Sequence, residues 1–370
     1  PAALRATERA FFAERHQHQI EKIELVNDCC VLAAVGDGMT GQPGVAANFF
    51  GALGKAGINI RAIAQGSSER NISAVIDQAE ASRALRAVHS SFYLSPQTLS
   101  IGVIGPGVVG SALLGQLAEQ IGRLKEELNI DLRVRGLATS RRMVLAERQL
   151  DLTDWRRLLE EEGEPTDPDK LVQHIHSDHL PHSVLLDCTA SEEVASRYVD
   201  WLRRGISIIT PNKRANTASL EFYEALRREG RRSGARYFYE TTVGAGLPIV
   251  QTLRDLIQTG DEVLQIEGIF SGTLSYLFNA FDGTRTFSEI VLDARSKGYT
   301  EPDPRDDLSG MDVARKVAIL GREMGLPLEL DHVTVESLVP VGLRGGSLEE
   351  FMGSLHLEDN AMEALRREAE

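Results

Sequence analysis

The segment Glu301–Lys316, EPDPRDDLSGMDVARK, places five acidic residues close to a lysine. Its two prolines favour extended backbone in the residues before them, so YTEPDPRDD is expected to be non-helical and a helix to begin near Ser309. Asp312 and Lys316 would then lie one turn apart on one face of that helix. Three interpretations stay open: an acidic metal site, a surface ion pair worth roughly a few tenths of a kcal/mol, and a lysine held by a carboxylate in an active-site cleft, where it could transfer a proton.

A second candidate site is TTVGAGLP, residues 241–248, which follows Glu240. The glycines leave backbone carbonyls free of strand pairing, so these carbonyls can point at a hard cation while the carboxylate supplies negative charge. The alternative is a flexible turn that leads into a helix starting near Pro248. The residue types alone do not decide between a cation site and a turn.

The third candidate is a phosphate-binding loop, GPGVVG, with the spacing G-x-G-x-x-G. It follows the apolar run LSIGVI and opens the helical pattern VVGSALLGQLAEQI, which is the context that this motif requires. The first glycine permits a tight turn, the second lets the backbone approach a pyrophosphate, and the third allows close helix–strand packing. Amide groups at the helix N-terminus would bind the phosphates. The candidate cofactor contacts are Gly105, Gly107, Val108, Val109 and Gly110.

The end of the next predicted strand bears on the choice of nicotinamide cofactor. LATSRR, residues 137–142, has no acid to bind a ribose 2′-hydroxyl, and it has two arginines that could accommodate a 2′-phosphate. The sequence therefore favours NADP(H) over NAD(H), with Arg141 or Arg142 near the phosphate. The alternative is that both arginines are merely solvated.

The order of strand and helix patterns predicts an α/β protein with three domains. Residues 1–97 read βαββαβ, the ferredoxin-like arrangement. Residues 98–240 alternate apolar strands with helices, which predicts a doubly wound parallel sheet of the Rossmann type. Residues 241–370 combine helices with strands such as VLQIEGIFSG and are expected to form an α+β, substrate-holding domain. The final charged helix has no capping signal after it, which predicts a truncated C-terminus.

Composition narrows the class of partner. The chain has 370 residues and a net charge of −14, which argues against binding to nucleic acid or to anionic membranes. No apolar run approaches the ~18–20 residues needed to span a bilayer. Three cysteines provide no disulfide framework, so we expect a reducing cytoplasm or an organelle stroma. The expected partner is a small-molecule substrate.

Several long motifs, in the right order, resemble homoserine dehydrogenase. They are TPNK, TVGAGLP, IEGIFSGTLSY, SKGYT and the EPDPRDDLSGMDVARK segment itself, and the resemblance covers about residues 99–340. The first 97 residues, with GDGM and INIRAIAQGSSERNIS, resemble the second ACT module of an aspartokinase regulatory region. This combination is similar to bifunctional aspartokinase–homoserine dehydrogenase, so an aspartokinase domain is expected in the intact protein.

The resemblance implies interconversion of L-aspartate 4-semialdehyde and L-homoserine with a nicotinamide cofactor, a step in threonine and methionine biosynthesis. Lys316 matches the family's acid–base lysine. Asp312 and Glu301 match the carboxylates that hold the substrate's amino group, and Thr273 and Tyr299 match residues that line the site. The residue types suit this chemistry, because a lysine can protonate a developing alkoxide and carboxylates bind an ammonium strongly.

The resemblance also implies cofactor and cation sites. Thr189, Lys213 and Gly298 match cofactor-contacting positions, and Lys213 could also assist near the reacting centre. A monovalent cation, usually sodium, is implied at a site formed by Glu240 and the carbonyls of Val243, Ala245 and Leu247.

For the ACT module the resemblance implies an amino-acid effector, usually threonine, with Gln65 as its best contact and Asn71 as a weaker one. A homo-oligomer, dimer or tetramer, is implied as well. The family continues beyond the end of this chain with strands at the dimer interface and a final helix. The rival interpretation is therefore a regulatory scaffold that binds cofactor without turnover.

Overall fold

A computed structural model describes residues 2–93, 97–177, 180 and 182–369. The chain forms two compact units. The first comprises the described residues up to Ser100 together with those of 120–133 and 176–183, and the second comprises residues 101–119, 134–175 and 184–369. Within the described residues, none of the helices combines the length and the apolar character that crossing a membrane requires.

The N-terminal part of the chain forms a small sheet covered by helices. Its elements are α1 (Ala2–Ala10), α2 (Phe12–His16), β1 (Cys29–Val35), α3 (Val45–Lys55), β2 (Ala62–Gln65), β3 (Asn71–Asp77) and α4 (Ala81–Tyr93). The strand order is β1-β3-β2, and both pairs are antiparallel. This is the predicted ferredoxin-like order, except that the strand expected after α4 would fall on residues 94–96, which lie outside the described residues.

The core of this small sheet follows from the alternation of β3. Ile72, Ala74 and Ile76 are buried on one face of the strand, where they pack with Phe49 and Leu53 of α3. Successive side chains of a strand point to opposite faces, so this alternation places every second residue in the core.

A seven-stranded sheet follows, with helices between its strands. The strands are β4 (Thr98–Ile104), β5 (Asp131–Ala138), β6 (Arg142–Leu145), β7 (Glu164–Pro165), β8 (His182–Asp187), β9 (Ser207–Ile209) and β10 (Tyr237–Phe238), in the order β10-β9-β8-β4-β5-β6-β7. The helices are α5 (Val108–Leu128), α6 (Trp155–Glu161), α7 (Pro168–Ile175), α8 (Glu192–Ser196), α9 (Tyr198–Arg203) and α10 (Leu220–Ser233).

This sheet is not parallel throughout. β8, β9 and β10 pair in parallel, as predicted, but β6 pairs antiparallel with β5, and β7 pairs antiparallel with β6. Only residues 139–141 connect β5 to β6. A parallel crossover needs a dozen or more residues, so this short connection can form only a hairpin. The LATSRR segment is therefore a hairpin turn at one edge of the sheet.

After β10, the regular elements of the described residues are all helices. The helices are α11 (Ile249–Gln258), α12 (Gly272–Ala280), α13 (Phe287–Ser296), α14 (Pro304–Leu308), α15 (Met311–Glu323), α16 (Leu348–Ser354) and α17 (Asp359–Ala369). Leu277, Phe287, Ile290 and Phe351 form the centre of a core between α12, α13 and α16.

The strand predicted for VLQIEGIFSG is wrong, since residues 261–271 have no regular secondary structure. Leu264 is 86% exposed and Ile269 is 76% exposed. A strand needs a neighbour to accept and donate its backbone hydrogen bonds, and no described strand lies beside this segment. The α+β character expected after residue 240 is accordingly absent from the described part of the chain, which is helical there.

Candidate active site

The three glycines of GPGVVG occupy three different environments at the end of β4. Gly105 has a φ of +83°, and a Cβ there would lie 2.5 Å from Thr189 Cγ2. A Cβ on Gly110 would lie 2.3 Å from the Gly105 carbonyl oxygen. A Cβ on Gly107 would have no described neighbour within 4 Å, so this backbone is open to a ligand. These are the roles that the dinucleotide-binding pattern assigns to its three glycines.

The N-terminus of α5 is available to an anion. Val108 is 89% exposed and Val109 is 56% exposed, at the first two positions of the helix. The first intrahelical hydrogen bond runs from the Ser111 amide to the Gly107 carbonyl at 2.8 Å. The amides of Val108, Val109 and Gly110 precede it, so they have no acceptor within the helix and can bind phosphate oxygens.

A buried aspartate at the end of β8 positions Thr189. The Asp187 side chain is fully buried, and its Oδ1 accepts a 2.8 Å hydrogen bond from the Thr189 amide. Its Oδ2 accepts from the Tyr198 hydroxyl and, at 3.1 Å, from Asn212 Nδ2. Burial and the neighbouring Asp187 charge hold the pKa of Tyr198 well above its usual value. The network thus fixes the β8 loop that faces Gly105.

Sequence reasoning missed this Asp187 network. The available signal was the position of its members, because Asp187 ends the apolar run SVLLD and Asn212 follows the apolar run ISIIT. Polar residues at the carboxyl ends of neighbouring parallel strands meet at one edge of the sheet, which is where ligands bind in such folds.

The two arginines of LATSRR differ. Thr139 Oγ1 accepts the amides of Arg141 (3.2 Å) and Arg142 (2.9 Å), which closes the β5–β6 hairpin. The Arg142 guanidinium donates to the Gly163 carbonyl at 2.6 Å. The Arg141 side chain is exposed beside this turn. Of the two, only Arg142 has its guanidinium hydrogen-bonded to another described residue.

Asp312 connects two lysines that lie far apart in the sequence. Its Oδ1 is 3.2 Å from Lys213 Nζ, and its Oδ2 is 2.6 Å from Lys316 Nζ. Lys316 Nζ also donates to the Phe270 carbonyl at 2.6 Å. Burial alone would raise the pKa of Asp312, but the hydrogen bond from Lys316 and the charge of Lys213 outweigh it and lower this pKa. The carboxylate is therefore ionised at neutral pH.

The helix that carries this pair has one buried face and one exposed face. It begins at Met311, close to the predicted start, after Gly310 in a left-handed conformation (φ +75°). Ile319 and Leu320 of α15 are buried against α11, and the Lys316 side chain is only 15% exposed. The Asp312 side chain is 45% exposed, so the pair lies where the buried face of α15 meets solvent and differs from a fully solvated pair in the burial of its lysine.

The far end of α15 is held by a second buried carboxylate that the sequence analysis did not single out. Glu323 accepts a hydrogen bond from the Tyr239 hydroxyl and lies 3.3 Å from the Arg254 guanidinium of α11. Burial raises the pKa of Glu323. These contacts fix the helix two turns beyond Lys316.

The predicted substrate residues Thr273, Tyr299 and Glu301 lie on neighbouring segments. Thr273 Oγ1 donates to the Tyr299 carbonyl at 2.7 Å. The Glu301 amide donates to Asp307 Oδ2 at 2.8 Å, while the Glu301 side chain is exposed. In the described part of the chain, no hydrogen bond joins these three side chains to Asp312 or Lys316.

The loop before α15 contains a short helix that was not expected. Residues Pro304–Leu308 form α14, so the prediction that this stretch is non-helical is wrong from Pro304 onward. Proline fits the first turn of a helix because no intrahelical partner is needed for its nitrogen. Asp303 caps the helix by accepting the Arg305 amide at 3.0 Å. Gly298 (φ +72°) follows α13.

The TTVGAGLP segment forms a turn before α11, which starts at Ile249, one residue after the predicted position. Gly244 and Ala245 both have positive φ, +77° and +51°. The Glu240 carboxylate accepts the amides of Val250 (2.9 Å) and Gln251 (2.8 Å) at the helix N-terminus. Its charge is therefore held beside the turn, and the carbonyls of the turn are the oxygen donors that a hard cation would use.

The two predicted effector residues differ in their surroundings. Gln65 lines a cavity of about 310 Å³ together with Met39, Pro43 and Glu69. Asn71 Oδ1 instead accepts the Gly66 amide at 3.4 Å, so it closes the turn between β2 and β3.

Family comparisons agree with the motifs. The model of the homoserine dehydrogenase NAD-binding domain matches residues 105–240, and the homoserine dehydrogenase model matches residues 248–369. The chain belongs to the homoserine dehydrogenase family. An ACT-domain model also matches residues 32–92. Homoserine dehydrogenase and ACT domains are thus both present, as the motifs predicted, and residues 105–240 form a nicotinamide-binding domain.

Individual relatives give the same result. The chain is 55% identical over 354 residues to the bifunctional aspartokinase/homoserine dehydrogenase 1 of Arabidopsis thaliana. The aligned region covers 95% of this chain and 39% of that relative. It is 46% identical over 352 residues to the Haemophilus influenzae bifunctional enzyme, with 94% and 43% covered. A putative homoserine dehydrogenase structure from Archaeoglobus fulgidus has a TM-score of 0.52 at 26% identity, covering 69% of this chain and 76% of that one. The chain therefore spans about two fifths of the length of its curated relatives.

Proposed function

We propose that this chain catalyses the nicotinamide-dependent interconversion of L-aspartate 4-semialdehyde and L-homoserine. The observation that carries the proposal is the Lys213–Asp312–Lys316 arrangement, with Asp312 oxygens 3.2 Å and 2.6 Å from the two ammonium groups. Two cations held by one carboxylate make a positive site, and this is what stabilises an alkoxide that develops on an aldehyde oxygen.

Lys316 is the proposed proton donor and acceptor. A nicotinamide cofactor held at this site would supply the hydride for the aldehyde carbon, and the oxygen of that carbonyl would need a proton. Lys316 is mostly buried and is fixed by both Asp312 and the Phe270 carbonyl, so its ammonium is held in one orientation. In the oxidative direction the same lysine takes the proton back from the hydroxyl. Lys213 contributes the second positive charge.

The two carboxylates proposed to bind the substrate's amino group, Asp312 and Glu301, differ in how freely they can contact it. The Asp312 charge is already compensated by two lysines, whereas the Glu301 side chain is exposed. We therefore assign the main contact with the ammonium to Glu301 and a shared contact to Asp312. Thr273 and Tyr299 line the same site.

The proposed cofactor is NADP(H) rather than NAD(H). The open Gly107 backbone and the free amides of α5 would hold the pyrophosphate, and the exposed Arg141 would meet the 2′-phosphate. Thr189, Lys213 and Gly298 are proposed to contact the remainder of the cofactor. A sodium ion is proposed at the carbonyls of the 243–247 turn, where the Glu240 carboxylate contributes negative charge.

The intact protein is proposed to be larger. The Arabidopsis thaliana and Haemophilus influenzae relatives are named as bifunctional enzymes, so we infer an aspartokinase domain, an oligomer that completes the effector site at Gln65, and regulation by an amino acid. The plant relatives are chloroplastic, and a stromal or cytoplasmic location is proposed here. The three-domain division at residues 97 and 240 is likewise a proposal.

The experiment is an absorbance assay at 340 nm, in which NADPH oxidation is followed with and without aspartate semialdehyde. Oxidation that depends on the aldehyde supports the enzyme. NADPH binding without any turnover would instead support the regulatory scaffold. An NADH reaction as fast as the NADPH reaction would contradict the cofactor assignment alone.

A further inference from the structure

The segment from Gly298 to Glu301 is held in place by a polar network that is outside the catalytic pair. This segment follows α13 and carries the proposed substrate residues Tyr299 and Glu301. It has no helix or strand of its own, so its geometry depends on contacts with neighbouring elements. Two of these are direct, since the Tyr299 amide donates to the Ala294 carbonyl at 2.9 Å and the Tyr299 carbonyl accepts from Thr273 Oγ1 at 2.7 Å.

The Tyr299 ring has a third contact. It packs against the Tyr276 ring of α12 in a T-shaped arrangement, with the centroids 5.0 Å apart and the planes at 71°. This geometry is the favourable one for two aromatic rings, and it defines the orientation of Tyr299, whose side chain is otherwise half exposed.

The far end of the Tyr276 ring is itself fixed. Its hydroxyl donates to Asp293 Oδ2 at 2.7 Å and accepts from Lys297 Nζ at 3.0 Å. Lys297 Nζ also lies 2.9 Å from Asp293 Oδ2, and Arg285 lies 3.3 Å from the same oxygen. One carboxylate oxygen thus collects three donors, and the hydroxyl of Tyr276 is held on two sides.

The charges in this network do not change over the working pH range. Hydrogen bonds from Tyr276 and Lys297 lower the pKa of Asp293 to about 2, and bonds to Tyr276 and Asp293 raise the pKa of Lys297 to about 12. The network therefore acts as a fixed support. It does not act as a proton donor.

We propose that Tyr276 and Asp293 are positioning residues for the amino-acid substrate: they orient Tyr299 and, through it, the 298–301 segment that carries Glu301. The proposal rests on the proposed function, because it assigns the substrate contact to this segment. The network includes no residue of GPGVVG. The segment that it orients carries one proposed cofactor contact, Gly298, and two proposed substrate residues, Tyr299 and Glu301, so the larger effect is expected on the amino-acid substrate.

The test compares variants of the full chain in steady-state oxidation of L-homoserine. Tyr276→Phe keeps the ring but removes the hydroxyl and its hydrogen bonds with Asp293 and Lys297, and should raise KM for L-homoserine about 5-fold. Asp293→Ala, which removes the acceptor of three donors, should raise it about 10-fold or more, whereas Asp293→Asn keeps an oxygen acceptor and should recover most of the loss. KM for NADP⁺ should change less than KM for L-homoserine, and the shape of the pH profile should stay unchanged in all three.

A matched control is Asp282→Ala. Among the described residues, Asp282 accepts hydrogen bonds from Thr284 alone (2.9 and 2.6 Å), in the loop between α12 and α13, so the KM values of this variant should equal those of the wild type. Equal increases in KM for L-homoserine and NADP⁺, or no increase for L-homoserine in Tyr276→Phe and Asp293→Ala, would overturn the proposal.

Hydrogen–deuterium exchange of a peptide covering residues 294–303 separates this proposal from the proposed function. Tyr276→Phe should speed exchange of the Tyr299 amide, while Asp282→Ala should not, whether or not the protein turns over homoserine. Unchanged exchange in Tyr276→Phe would overturn the positioning role. Faster exchange in Tyr276→Phe, together with a wild-type chain that shows no turnover, would refute only the enzymatic assignment.

Discussion

The ammonium of Lys316 lies 2.6 Å from Asp312 Oδ2 in a pair whose lysine is only 15% exposed. An i, i+4 ion pair on a solvated helix would leave both groups free to change rotamer. Here the Phe270 carbonyl accepts a second hydrogen bond from the same nitrogen, so the lysine has a defined direction. A fixed direction is what a proton donor requires.

Replacing Lys316 by alanine should reduce kcat by about 10²-fold or more, because positioned acid–base catalysis typically contributes ~10²–10⁴-fold. The measurement is the NADPH-dependent reduction of aspartate semialdehyde at saturating substrate. Lys170→Ala is the matched control, since Lys170 forms an exposed ion pair with Glu164 far from this site in the sequence. A Lys316→Ala enzyme with near-normal kcat would show that another group handles the proton.

The contribution of the Asp312 charge to stability should depend on pH only in acid. Its folded-state pKa is lowered below the unfolded value of about 3.9, so its ion pairs stabilise the fold fully above that value and lose their effect as the pH falls through the folded-state pKa. The Tm difference between wild type and Asp312→Asn should stay constant between about pH 5 and 8 and shrink towards pH 3. A difference that varied between pH 5 and 8 would mean that this carboxyl titrates higher.

Asp312→Asn should also raise KM for the amino-acid substrate while leaving KM for the cofactor unchanged. The amide can accept hydrogen bonds but no longer offers a charge to an ammonium group. Steady-state kinetics with each substrate varied in turn provide the measurement. An unchanged KM for homoserine would refute the ammonium contact.

Substitutions at two glycines of GPGVVG should affect different properties, namely stability at Gly110 and cofactor binding at Gly107. Gly110→Ala places a Cβ 2.3 Å from the Gly105 carbonyl oxygen, so it should destabilise the fold by about 1–3 kcal/mol. Gly107→Ala meets no described atom within 4 Å, so it should keep the wild-type Tm but weaken NADPH binding. Thermal unfolding and fluorescence titration test these outcomes, with Gly115→Ala on the same helix as the control. Unchanged NADPH affinity in Gly107→Ala would place the pyrophosphate elsewhere.

Arg141→Ala should weaken NADPH binding by about tenfold and leave NADH binding unchanged, because only NADPH carries the 2′-phosphate. Arg142→Ala, which loses a 2.6 Å hydrogen bond to the Gly163 carbonyl, should mainly lower Tm. Titration of both variants with both cofactors gives the comparison. Equal losses for NADPH and NADH in Arg141→Ala would contradict a phosphate contact.

Local patterns in the sequence were enough to predict several of these features. GPGVVG between an apolar strand and a helix predicted the β4–α5 turn, and DVARK predicted Asp312 and Lys316 on one helix face. Both depend on residues that are neighbours in the chain, where turn and helix geometry decide the outcome.

Contacts between distant residues were not predictable in the same way. Lys213 reaches Asp312, and Asp187 reaches Tyr198 and Asn212, only after the sheet and helices have assembled. The predicted strand at 263–272 also failed for this reason, since a strand depends on a partner that its own residues do not specify. The prolines of EPDPRDD predict a non-helical segment, whereas Pro304 is the first residue of α14.

The most direct test of the central claim is the product formed from NADPH deuterated at both positions of C4. With aspartate semialdehyde and the wild-type chain, mass spectrometry should show homoserine carrying one deuterium on the carbon that bears the hydroxyl, and Lys316→Ala should form it at least about 10²-fold more slowly. Absence of homoserine, or homoserine without deuterium, would contradict hydride transfer to the aldehyde at this site.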